Sequence, residues 1–293
     1  MRKLIVIIVL VVELLPQVIC EENKYCQLYC DFYTENVTHT VCERDLEECG
    51  PSPDCGEDFQ VIHLDDSTRQ YILDLHNYFR NKVASGNETR NDQPSAANMM
   101  VMKYNKELEY IAQCWANACN GNPLIHDHCR RTEEYEHVGQ NLGFINSSFA
   151  DFDLKRTIRT LVNLWYEEVE IFQNEWVNQT EDRGPDIVVG HYTQMVWADT
   201  SEIGCATTYY TTNSSDTTWH HLLLVCNYGP GGNYLGLPVY EVGEPCSNCP
   251  RHLKNNKKYK GLCGESEYLP KGNKSFLLEK LVDGTISFDN EIL

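Results

Sequence analysis

The chain has 293 residues, 42% hydrophobic, 23% charged and 11% aromatic, enough to bury a core in one large domain with smaller attachments. Its 43 acidic residues against 24 basic ones give a net charge of -19, which excludes a polyanion such as nucleic acid as a partner. Fourteen cysteines with no evident metal framework exclude the reducing cytosol.

Residues 1–20 have the form of a signal peptide. Arg2 and Lys3 precede nine apolar residues from Leu4 to Val12, too few to span a bilayer, and Val18 and Cys20 occupy small-residue positions before a cut ahead of Glu21. No later stretch reaches eighteen apolar residues, so no membrane span is expected and the chain reads as secreted and extracellular. Asn-X-Ser/Thr sequons at Asn36, Asn87, Asn146, Asn178, Asn213 and Asn273 then become candidate glycosylation sites.

Residues 21–60 form a cysteine-rich extension, with Cys26, Cys30, Cys42, Cys49 and Cys55 and too little apolar material for a core of its own. Residues 61–240 carry the periodic segments. Ser67-Thr-Arg-Gln70 reads as a capping box ahead of Ile72, Leu75, Phe79 and Val83, with Gly86 at the helix end. A second helix starts near Asn105, with Leu108, Ile111, Ala112, Trp115 and Cys119 on one face. A third carries Leu154, Ile158, Leu161, Val162, Trp165, Val169 and Phe172 at helical spacing. Ile203–Tyr210 and Trp219–Cys226 flank Thr-Thr-Asn-Ser-Ser-Asp-Thr-Thr and read as an antiparallel hairpin. Helices first and strands late give an α+β class. Residues 241–293 form a polar, poorly periodic tail bearing Cys246, Cys249 and Cys263, its last thirty residues expected to be loosely ordered.

Gly190-His-Tyr-Thr-Gln-Met-Val-Trp197 and Cys226-Asn-Tyr-Gly-Pro-Gly-Gly-Asn233 resemble signature motifs of the CAP superfamily of cysteine-rich secretory, antigen 5 and pathogenesis-related proteins. His76-Asn-Tyr-Phe-Arg80, Trp115-Ala-Asn-Ala-Cys119, His126-Asp-His-Cys-Arg130 and Gly139-Gln-Asn141 fit the same family in the same order. Tyr25-Cys-Gln-Leu-Tyr-Cys30 and His39-Thr-Val-Cys42 are similar to the arthropod venom allergen antigen 5 branch. The resemblance spans about residues 67–240 and implies an α-β-α sandwich. The tail is similar to the cysteine-bearing extension of some relatives, but with only three cysteines it offers no neat framework.

The resemblance implies bridges Cys26–Cys42, Cys30–Cys129, Cys119 with Cys49 or Cys55, and Cys205–Cys226. Two have separate support. Cys205 and Cys226 lie on the two hairpin arms, and Cys119 follows the Trp115 face, whereas Cys114 sits roughly 100° from Trp115 and would take the leftover of Cys49 and Cys55. Loss of Cys20 leaves thirteen cysteines, so at least one is free or intermolecular. Cys246-Ser-Asn-Cys249 has redox-motif spacing, but its Pro-flanked polar setting points to a disulfide loop.

The resemblance also implies a cleft tetrad of His126, Gln140, Glu168 and His191. The helix supports one member directly: with Trp165 at the centre of the apolar stripe, Glu168 falls roughly 60° away, while Glu167 and Glu170 turn to solvent. His126, His191 and Glu168 suit a divalent ion such as Zn²⁺ or Cu²⁺. The alternative is a closed hydrogen-bond network over the helix-sheet junction. Gln140 departs from the family's acidic residue, and an amide cannot take a proton at neutral pH, which weakens any two-carboxylate mechanism. His128, His137, His220 and His221 read as surface or strand residues.

Two functions follow. In the first the protein is a non-enzymatic binding module for an extracellular protein, channel or lipid, requiring no cofactor and with zinc as a weak cleft ligand. In the second it is a metal-dependent hydrolase, a protease using His126, Glu168 and His191. The absence of a G-x-S-x-G, H-E-x-x-H or Cys-His signature favours the first. Protein secreted from a eukaryotic host is expected to begin near Glu21 and to lose mass on glycosidase treatment. Intact mass spectrometry checks both, and a retained Met1 with an unshifted mass rejects them.

Overall fold

The computed structural model describes residues 23–266 except 33–34, 45–48, 57 and 122. The expected signal peptide and cut ahead of Glu21, Asn273 and the last part of the tail lie outside the described residues. The sequons at Asn36, Asn87, Asn146, Asn178 and Asn213 are all exposed.

In the N-terminal extension, β1 (Cys30–Phe32) and β2 (Glu35–Val37) pair antiparallel and lead into α1 (Thr40–Glu43). A short strand β3 (Gln60–Ile62) precedes α2 (Asp66–Ala84), which is capped by Asp65 rather than by Ser67. The Asp65 carboxylate accepts from the Thr68 amide at 2.7 Å, and Ser67 instead accepts from Lys155 on its outer face. After β4 (Lys103–Tyr104), α3 (Lys106–Ala116) is capped by Asn105, which accepts from the amides of Glu107 and Leu108. The helix ends three residues short of Cys119, which lies beyond it at φ 56°. Cys119 therefore does not continue the Trp115 face as its spacing suggests.

The strand β5 (Gly139–Ser147) arises from a segment that carries a motif but no strong strand pattern. Next come α4 (Leu154–Glu167), α5 (Gly190–Met195), β6 (Glu202–Ser214) and β7 (Thr217–Gly229). The hairpin is longer than its apolar cores suggest. Ser214 still faces Thr217, and Ser215 at φ 54° opens a two-residue turn, so most of the Thr/Asn/Ser run is strand.

The sheet order is β3-β6-β7-β5, with β4 pairing parallel to β6. Its alternating side chains divide the core in two. Leu222, Leu224, Cys226 and Tyr228 join α2, α4 and α5 on one face, and Leu223 and Val225 join Ala112 and Ala116 of α3 on the other. This is the α-β-α arrangement. Helix α3 lies directly on β6 at Gly204, where any Cβ would sit 2.2–2.6 Å from the α3 backbone at Asn105, Leu108 and Glu109.

Six disulfides join Cys26–Cys42, Cys30–Cys129, Cys49–Cys114, Cys55–Cys119, Cys205–Cys226 and Cys249–Cys263. Cys246 is the free thiol among the described residues. The Cys246–Cys249 disulfide loop expected from its Pro-flanked polar setting is absent, because Cys249 pairs with Cys263 fourteen residues further on. The segment from 241 to 266, read as a polar tail, packs along α2 and the 96–101 stretch. Tyr259, Leu262 and Cys263 are buried, Cys263 exchanges backbone bonds with Met99 and Val101, and Asp74 accepts from Lys258 and Tyr259 at 2.8 Å each. Backbone bonds and one buried carboxylate hold it, so hydropathy periodicity does not reveal it.

Helix α2 buries two basic groups. The Arg80 guanidinium, 0% exposed, turns its five N–H groups to the carbonyls of Met100, Met195, Trp197, Ala198 and Thr200 through six contacts of 2.6–3.1 Å, with the three from Nη2 sharing its two protons. His76 donates from Nδ1 to Ile72 O and accepts at Nε2 from the Tyr228 hydroxyl at 3.0 Å, and burial lowers its pKa to about 4. Arg80→Met, which orphans five buried carbonyls, is expected to cost at least about 3 kcal/mol in chemical denaturation, with Arg80→Lys intermediate. For His76 the unfolded chain takes up a proton first as pH falls, so stability present at neutral pH is lost between about 6.5 and 4. The full loss approaches about 3 kcal/mol. Denaturation of His76→Gln across this window is expected to show a flatter pH slope than the wild type.

Candidate functional site

The cleft lies where the end of α4, the start of α5 and one end of β5 and β7 meet. Helix α4 stops at Glu167, and a 3-10 turn over Glu168–Glu170 swings Glu168 beneath α5. Its Oε2 accepts from the backbone amides of His191 and Tyr192, both at 3.0 Å, and its Oε1 accepts from His191 Nδ1 at 2.5 Å. A carboxylate there satisfies amides that the first turn of α5 leaves unbonded, and it orients the imidazole at the same time. The Trp165 ring stacks on His191 with centroids 6.2 Å apart and planes 13° apart. Glu167 is turned away into a 2.7 Å bond with Arg90, and Glu170 is exposed.

The second imidazole is held differently. His126 Nδ1 bonds Gln140 Oε1 at 2.8 Å. The Gln140 amide nitrogen donates to Asp127 Oδ1 at 3.0 Å and to Asn227 Oδ1 at 3.1 Å, and Asn227 in turn donates to Leu108 O. His126 opens onto solvent, but its inner edge faces protein. Lost solvation there holds its pKa below the usual imidazole value, the bond to Gln140 pulls the other way, and the charges of Arg130 and His191 lower it further.

The four tetrad residues form two imidazole-acceptor pairs, His126 with Gln140 and His191 with Glu168, near enough for the charge of His191 to act on His126. In each pair Nδ1 is engaged and Nε2 is left as the ring's other nitrogen. The geometry differs from the expected ligand set at Glu168, whose two oxygens already accept three hydrogen bonds on the Nδ1 side of His191. Its place is that of an orienting group behind the imidazole. Each imidazole, backed at Nδ1 by a hydrogen-bonded acceptor, has the chemistry of a ligand for a borderline divalent ion.

Sequence reasoning overlooked Asp127 and Asn227, although both lie inside the quoted motifs. The available signal was a carboxylate directly beside His126 with an arginine three residues on. His137 bonds Gly232 O at 3.1 Å. His220 and His221 lie on β7 at the far end of β5, where they bond Tyr209 and Thr212, and His221 is buried between Phe144 and Tyr210. His128 is exposed. Beside α5, Phe172, Trp176, Ile187, Val188 and Leu235 line an open groove, and the last three are exposed.

The model of the CAP family, described as the cysteine-rich secretory protein family, matches residues 73–228. The chain is 39% identical over 225 residues to Venom allergen 5.02 of Dolichovespula maculata, covering 75% of this chain and 95% of that one. It is 38% identical over 242 residues to Venom allergen 5 of Polistes dominula, covering 81% and 98%. Among solved structures, BmVAL-1 matches with a TM-score of 0.55 at 30% identity over 71% of this chain and 97% of that one. Na-ASP-1 matches with a TM-score of 0.50 at 29% identity over 73% of this chain and 50% of that one.

Proposed function

Because the chain belongs to the cysteine-rich secretory protein family and is of the venom allergen 5 type, we propose that it is a secreted, non-enzymatic binding module. Its cleft holds a divalent ion such as Zn²⁺ weakly, through Nε2 of His126 and Nε2 of His191. One observation carries the cleft reading: both imidazoles have Nδ1 tied to an oxygen acceptor, Gln140 Oε1 and Glu168 Oε1. In the neutral ring that leaves Nε2 as the lone-pair nitrogen on each. Two neutral nitrogens with no carboxylate ligand make a weak site, and a bound ion there would supply a Lewis acid with positions open to water. Glu168 and Gln140 orient the rings and bear on affinity from behind them.

The binding reading rests on the groove beside α5. Ile187, Val188 and Leu235 expose apolar surface on loops held by a stapled scaffold, which suits an extracellular protein, channel or lipid partner. The hydrolase alternative asks Glu168 to act as a proton acceptor. Its oxygens are already turned to two backbone amides and an imidazole, and no observation favours that second reading over the first.

Zinc titration by calorimetry is expected to show binding that falls at least tenfold in His126→Ala and in His191→Ala. Glu168→Ala is expected to lose about 10- to 100-fold as the orienting partner is removed. Equal binding in all these variants places the metal elsewhere and rejects the cleft site. Peptidase activity in the wild type that disappears in Glu168→Ala rejects the non-enzymatic reading.

A further inference from the structure

Gln140 can orient His126 in two ways. With Oε1 toward the ring it accepts from Nδ1–H and leaves Nε2 as the lone-pair nitrogen. With Nε2 of the amide toward the ring, it donates to the Nδ1 lone pair and the imidazole proton moves to Nε2. A glutamate has no such ambiguity, since an ionised carboxylate only accepts. The choice at position 140 is therefore made by whatever lies behind the amide.

What lies behind it is Asp127, 4% exposed. Its Oδ1 accepts from the Gln140 amide nitrogen at 3.0 Å and from Arg130 Nε, and its Oδ2 accepts from the Thr40 hydroxyl at 2.6 Å. Arg130 is anchored by Val138 O, so the carboxylate cannot swing away without breaking several charge-assisted bonds. Asn227 Oδ1 takes the second Gln140 proton because the Asn227 amide nitrogen is committed to Leu108 O. With both N–H groups facing acceptors, the Gln140 carbonyl oxygen is left to face His126.

We infer that Asp127 is a positioning residue for His126: it fixes the Gln140 amide, and through it the Nδ1–H tautomer of the imidazole. It also wires the cleft to the N-terminal extension. Thr40 reaches Asp127 from α1, its one hydroxyl proton lying between Asp127 Oδ2 at 2.6 Å and Cys129 O at 2.8 Å, and its amide donates to Cys129 O at 2.8 Å, beside the Cys30–Cys129 bridge. The extension thus has a chemical role at the cleft besides its mechanical one. The inference rests on the proposed metal site only where zinc affinity is the readout.

The test is ¹⁵N NMR of the His126 ring in zinc-free, fully disulfide-bonded protein at a pH where the ring is neutral, followed by zinc titration of the same samples. The wild type is expected to show protonated Nδ1 and unprotonated Nε2. In Asp127→Ala the amide is released and the Nε2–H form rises to about half or more. Zinc affinity drops by that lost fraction, roughly two- to fivefold. The double variant Asp127→Ala/Gln140→Glu is expected to restore Nδ1–H, because a carboxylate at 140 needs no help to act as acceptor. A purely structural role for Asp127 would not be rescued in this way. Thr40→Val, which removes one hydroxyl, is expected to raise the Nε2–H form measurably in a chain that keeps all six bridges.

Wild-type protein with Nε2–H, or Asp127→Ala with an unchanged tautomer, overturns the inference. So does a double variant that fails to restore Nδ1–H. If Asp127→Ala does not fold, an unchanged tautomer in Thr40→Val overturns it. A wild type with the expected tautomer but no heat of zinc binding supports the relay and rejects only the metal reading.

Discussion

One buried cation organises the architecture. Arg80 enters the core from α2, and its N–H groups are spent on main-chain carbonyls of two separate segments. Met100 belongs to the stretch that leads into β4, while Met195, Trp197, Ala198 and Thr200 run from the end of α5 into β6. A planar fork of donors fits this role where a point charge would not. Because those carbonyls would otherwise be orphaned in the core, the guanidinium and the chain path hold each other in place. The position of α5, and so of His191, depends on this arrangement.

The cleft is chemically asymmetric. On the His191 side, one carboxylate caps the first turn of α5 and orients the ring, so a single residue ties backbone and site together. On the His126 side, an amide stands in the orienting position and the charge has moved one layer back, to Asp127. The amide accepts toward the ring only because its nitrogen faces acceptors. Asp127, Arg130 and Thr40 thus belong to the site even though none of them is one of the two imidazoles.

The extension before β3 shows what a segment without its own core needs. Tyr25 and Val41 pack with Ile111 and the Cys49–Cys114 bridge against α3. Cys30–Cys129 and Cys55–Cys119 close loops of 99 and 64 residues, which constrains the unfolded chain far more than a local bridge does. The segment after β7 uses the same device with Cys249–Cys263 and adds the Asp74 anchor.

Much was legible in the residues alone. Helical spacing around Trp165 marked α4, the β-branched and aromatic runs marked the hairpin, and spaced motifs named both imidazole-acceptor pairs, while the 3-10 turn after α4 sets the direction of Glu168. These are local patterns, set by the periods of helix and strand or by short motifs. Tertiary structure decided what depends on distant partners. Ser67, read as a cap, lies inside α2 and accepts instead from Lys155 of α4, while Asp65 caps the helix. Cys55 rather than Cys49 meets Cys119 because α3 ends at Ala116 and the chain turns there. Gln140 reads from sequence as a lost carboxylate, but whether an amide donates or accepts is settled by the groups behind it. That choice belongs to Asp127 and Asn227, 13 and 87 residues away along the chain.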